Sequence, residues 1–132
     1  MPTAIGTLLA GIEANQASRS LGGAALIFDA SGGAINRVHA GETAFVHRND
    51  LCSIQYFSSW VGAGAGDLHW NRTLYAEMRP YVSGFAYQNY IDPDLKSWQH
   101  AYYGSNLSRL KAVKRKVDPK NAFRFPQSIP LR

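Results

Sequence analysis

The run LCSIQYFSSW (51–60) constrains the fold of this chain more than any other stretch. It is β-branched and aromatic, so it reads as a strand. Strand alternation places Cys52, Ile54, Tyr56 and Ser58 on one face. Ser53, Gln55, Phe57 and Ser59 take the other. GGAALIFDASGG (22–33) is a second short strand ending in glycines, and AINRVH (34–39) alternates apolar and polar residues. These two read as a hairpin turning at Gly32-Gly33. TAFVHR (43–48) is a short extended piece, and SGFAYQNYI (83–91) a further strand.

Helical spacing marks residues 3–16 and the segment DLHWNRTLYAEMRPYV, with Asp67 as N-cap and Pro80 near the end. VGAGAG (61–66) is a flexible connection before it. Asp92-Pro93-Asp94 is expected to cap a short helix stopped by Gly104. Residues 105–117 form another helix, ended by Asp118-Pro119, before an irregular tail. The expected class is α+β, an antiparallel sheet with helices packed on one face. A length of 132 residues suits one domain. Within it, 1–21 would be N-terminal helix and linker, 22–91 sheet with helix, and 92–132 C-terminal helices and tail.

Composition excludes several function classes. With 45% hydrophobic and 17% charged residues the chain is too apolar for disorder. No apolar run reaches the roughly 18–20 residues of a membrane span. The N-terminus lacks a basic segment followed by an apolar stretch, so a cytoplasmic location is expected. Cys52 is the single cysteine, which excludes an intramolecular disulfide, and its apolar surroundings suggest a buried, inert thiol. From Arg109 to Arg132 there are eight Lys/Arg against one acid, Asp118. No nucleic-acid motif accompanies them, so they read as a solvated helix face and nucleic acid is not an expected partner. Neither metal-ligand spacing nor a nucleophile elbow surrounds His39, His47, His69 or His100.

The chemically unusual stretch is YQNY (87–90). In an extended strand Tyr87 and Asn89 would share one face, and Gln88 and Tyr90 the other. An amide offers donors and an acceptor that can match an imide-like ring edge. A phenol serves as acid or base where a nearby cation or donor lowers its pKa from about 10. Residue types alone favour the plainer reading, amphipathic core tyrosines with one wet end.

The order of residues narrows this. Tyr87-Gln88-Asn89-Tyr90-Ile91-Asp92, Trp98, Tyr102-Tyr103-Gly104-Ser105-Asn106, Arg109-Leu110, Val113-Lys114, Asp118-Pro119, Asn121, Phe123 and Gln127-Ser128-Ile129-Pro130 resemble the C-terminal segment of berberine bridge enzyme-like FAD-linked oxidoreductases. GGAINRV (32–38), TAFVHR (43–48) and IQYFSSW (54–60) resemble the preceding part of that family's substrate domain. The resemblance implies an antiparallel sheet backed by helices that covers a flavin ring, hydride transfer to the flavin, and a base that takes a hydroxyl proton. It implies Tyr90 as that base and Tyr87 and Asn89 beside the flavin. Asp29 would be an acidic partner of the tyrosine. Gln55 and His47 are the substrate-binding candidates.

Nothing in the sequence resembles the family's FAD-binding domain or its flavin-attachment motifs. The expectation is therefore one open wall that does not hold FAD tightly by itself. The expected partners are a small-molecule substrate, an FAD-domain chain, and a second copy covering the exposed sheet face. The alternative is a cofactor-free cyclase, isomerase, lyase or ligand-binding protein using the same tyrosine-lined face.

Overall fold

Strand β1 (Gly23–Ala30) pairs with β2 (Cys52–Ser59) in a two-stranded sheet. Gly23 meets the Ser59 hydroxyl at one end, and the Ser31 amide donates to the Leu51 carbonyl at the other, so the strands are antiparallel. A computed structural model describes residues 3–18, 22–59 and 66–132 of this chain. They fall into two units, Met1–Ala30 with Ile54–Ser83, and Ser31–Ser53 with Gly84–Arg132. The class is α+β, as the sequence predicts. The connection at 61–65 and the Asp67 side chain lie outside the described residues.

In the first unit α1 (Ala4–Ala17) starts at Thr3, whose hydroxyl accepts from the Gly6 amide at 3.1 Å. It lies against α3 (Gly66–Met78) at Gly11. A Cβ at Gly11 would stand 2.6 Å from a Leu74 methyl, so only glycine admits this approach. The Trp70 indole donates to the Gly11 carbonyl at 2.6 Å. Leu74 and Met78 are the buried apolar centre. Asn71 of α3 donates to the Tyr56 carbonyl, and the Tyr75 ring meets Tyr56 edge-on at 5.6 Å. Helix α3 therefore covers the Tyr56 face of the sheet. The opposite face, with Ile27, Asp29, Gln55 and Phe57, stays open, and Ile27 and Phe57 are 40% and 48% exposed.

In the second unit α4 (Trp98–Tyr103) and α5 (Leu107–Val117) flank a single 3-10 turn. Tyr102 is 1% exposed. Its hydroxyl accepts from the Asp92 amide at 2.9 Å and donates to Gln127 Oε1 at 3.2 Å. Gln127 Nε2 donates to the Asp92 carbonyl at 2.7 Å, closing a ring of bonds between loop, helix and tail. Buried Asn106 donates to the carbonyls of Ala40 (2.7 Å) and Thr43 (3.1 Å). Asp118 ends α5, accepting from the amides of Ala122 and Phe123 and from Lys114.

Three expectations need correction. Residues 34–37 form a one-turn helix, α2 (Ala34–Arg37), and not the second strand of a hairpin. Gly32 and Gly33 both take positive φ, 145° and 53°, which turns the chain into that helix and leaves β2 as the partner of β1. Residues 83–91 form no strand. Gly84 at φ 86° breaks the extended run, and the Tyr90 amide donates to the Tyr87 carbonyl at 3.0 Å, making a turn. Asp92 does not cap a helix directly. Its carboxylate accepts from the Asp94 amide in a local turn, and α4 begins only at Trp98.

Two predictions follow from these contacts. Tyr102→Phe strands the Asp92 amide and Gln127 Oε1 and should lower unfolding free energy by about 1–3 kcal/mol in urea titration. Lys114 and the two amides hold the Asp118 carboxyl below the ordinary carboxylate range. A depressed folded pKa contributes stability above the unfolded value, about 3.9, that is lost as pH falls through the lower folded value. Thermal melts should show an acid-induced loss confined to that window, and Asp118→Asn should flatten it.

Candidate functional site

The turn at Tyr87–Tyr90 is held at both ends by α4. The Ala86 amide donates to the Ala101 carbonyl at 3.0 Å, and the Asp92 amide to the Tyr102 hydroxyl. Between these anchors Asn89 Nδ2 donates to the Tyr87 hydroxyl at 2.8 Å. The Tyr90 ring meets Tyr87 edge-on at 5.6 Å. Tyr87 is half-buried, whereas Asn89 is exposed and Tyr90 is 57% exposed. The turn thus groups Tyr87 with both Asn89 and Tyr90, where strand alternation would have separated Tyr90 from the other two. Gln88 points inward, and its Oε1 is buried without a partner among the described residues.

Phe45 backs the turn, its ring 5.9 Å from Tyr87. Arg48 fixes Phe45. Its guanidinium lies 4.7 Å from the ring centre and donates to the Phe45 carbonyl (3.2 Å), the Ile35 carbonyl (3.1 Å) and the Thr43 hydroxyl (2.7 Å). Sequence reasoning missed both residues. Their only trace there was the aromatic-basic make-up of TAFVHR.

His47 lies behind Phe45, 8% exposed, between the rings of Phe45 (5.2 Å) and Phe85 (5.5 Å). Burial pushes its imidazole below the ordinary histidine range, against the opposing pull of Asp50, 3.8 Å away. In the first unit Gln55 Nε2 donates to Asp29 Oδ2 at 2.5 Å, diagonally across the open sheet face. Cys52 is a half-buried free thiol.

The Tyr87–Asn89 pair leaves an amide carbonyl and a phenolic hydrogen to meet the donor and acceptor edge of a heteroaromatic ring. Two surface hollows, of about 540 Å³ beside Trp98 and Arg124 and about 250 Å³ beside Asn106 and Arg109, are lined by other residues. The described residues form no group of three or more His, Cys, Asp or Glu placed for a metal ion, and no helix among them is long and apolar enough to cross a membrane.

Comparison with known proteins gives the family. Residues 86–130 match the family described as berberine and berberine like. An uncharacterised FAD-linked oxidoreductase of Bacillus subtilis is 43% identical over 101 residues, 75% of this chain and 22% of its own length. Tetrahydroberberine oxidase of Berberis wilsoniae is 38% identical over 126 residues, covering 81% of this chain and 24% of its own. The structure of Physcomitrella patens berberine bridge enzyme-like 1 superposes with TM-score 0.83 at 42% identity, over 98% of this chain and 27% of that one. The chain spans about a quarter of the length of the relatives it matches. It has the sequence and the fold of the C-terminal part of berberine bridge enzyme-like FAD-linked oxidoreductases.

Proposed function

We propose that the chain supplies the substrate-facing wall of a berberine bridge enzyme-like oxidoreductase and works with a flavin-bearing chain or domain. The observation that carries this is the Tyr87–Asn89–Tyr90 turn, whose amide and phenols are braced from behind and open in front. A flavin held against this turn would supply the hydride acceptor for substrate oxidation. Tyr90, exposed at the front of the turn, would accept the hydroxyl proton of substrate as its phenolate and become the neutral phenol. Tyr87 and Asn89 hold the ring edge and fix each other's orientation. Asp29 is assigned as an acidic group of the reaction, oriented by Gln55, and Gln55 as a substrate contact.

The substrate is a small organic molecule, as the name tetrahydroberberine oxidase records for one relative and glucose dehydrogenase for a solved neighbour. This chain alone does not enclose a flavin, because its polar turn is one surface and not a cavity. The flavin-bearing partner covers the open Ile27–Phe57 face. A second copy on that face is the competing arrangement, separated by mass in light scattering.

The test combines this chain with the flavin-bearing part of the moss relative. A yellow complex absorbing near about 450 nm is expected, and its flavin should bleach anaerobically with tetrahydroberberine or glucose. Tyr90→Phe should retain the colour and slow bleaching by about 10²–10⁴-fold in stopped-flow. A mixture that never associates overturns the shared assembly, and a variant that bleaches at the original rate removes Tyr90 from this role.

A further inference from the structure

His47 is a buried polar side chain that the chemistry above leaves unused. Its ring is gripped edge-on by Phe45 and Phe85, with interplanar angles of 78° and 73°. Each gripping ring is itself braced. Phe45 meets Tyr87 at 5.9 Å, and Phe85 stacks on His100 at 5.4 Å. There is little slack on that side. A Cβ added at Gly104 would come within 3.2 Å of Val46 and 3.3 Å of Phe85. His47 Nε2 has no hydrogen-bond partner among the described residues. Nδ1 lies 3.8 Å from the Asp50 carboxylate, beyond direct hydrogen-bond length.

We propose that His47 is a positioning residue, a neutral wedge that presses Phe45 against Tyr87 and so fixes the Tyr87–Asn89 hydrogen bond and the placement of Tyr90. This rests on the role given to Tyr90 above. A neutral imidazole suits an aromatic cage. A charged one places a second N–H in the cage, and its burial is costly. A ring drawn toward the Asp50 carboxylate, 3.8 Å away, would release its edge-on contact with Phe45. The Asp50 carboxylate and the carbonyls of Tyr102 and Ala86 favour the charged ring, but burial outweighs them. His100 lies across Phe85 and Arg48 across Phe45, and a charge on either adds repulsion. The wedge therefore holds at neutral pH and loosens in acid. A raised proton concentration must overcome a folded pKa lower than the unfolded value, so the associated stability falls as pH drops below about 6.5.

The test is a pH titration of the isotope-labelled full chain by NMR. The His47 imidazole should titrate with a midpoint below about 6.5. The Asn89 side-chain amide and the Tyr87 and Tyr90 ring signals should shift with the same midpoint, while the Tyr75 ring stays still. In His47→Phe those shifts should vanish. Should that variant not fold, Phe45→Leu serves: His47 still titrates, but the turn signals no longer follow. Turn signals that stay flat through the His47 titration overturn the proposal, as does an unchanged step in either variant. None of these signals depends on turnover, so a failed role for Tyr90 is read separately.

Discussion

The hydroxyl of Tyr102 organises the part of the chain that carries the chemistry. Buried at 1% exposure, it joins the Asp92 amide to Gln127, and Gln127 returns a bond to the Asp92 carbonyl. Three segments distant in sequence, the turn, α4 and the tail, thereby share one polar centre. Its partners would be unsatisfied donors and acceptors without it, and that penalty makes the arrangement specific. With one end of the turn tied to Tyr102 and the other to Ala101, Tyr87, Asn89 and Tyr90 are presented by a fixed backbone and not by a mobile loop.

The elements legible from sequence were those fixed by local periodicity. β2, α1, α3 and α5 lie close to where alternation or helical spacing places them, because those patterns are local to each segment. Residues 34–39 and 83–91 were misread for a common reason. Gly32, Gly33 and Gly84 adopt positive φ, and the pairing that results is set by distant partners: β2 for β1, and Ala101 and Tyr102 for the YQNY turn. A six- to nine-residue window cannot register such partners.

The candidate site was legible as a set of residues more than as a geometry. Tyr87 and Asn89 do pair, through the turn instead of strand alternation. Asp29 and Gln55 pair because the antiparallel register puts them one diagonal step apart. His47 was read as a substrate-binding candidate, but it lies 8% exposed between Phe45 and Phe85, in packing that no short motif encodes. The chemically unusual YQNY stretch is thus a braced ledge: exposed amide and phenol in front, aromatic rings and a buried imidazole behind.

On the proposed function, this ledge is the wall against which a flavin ring rests. A crystal structure of the chain assembled with a flavin-bearing partner tests it most directly. The ring edge should lie within hydrogen-bond reach, about 2.7–3.2 Å, of Asn89 or the Tyr87 hydroxyl, with Tyr90 open to the substrate space above it. A flavin ring seated elsewhere, with Tyr87, Asn89 and Tyr90 facing bulk water, would contradict it.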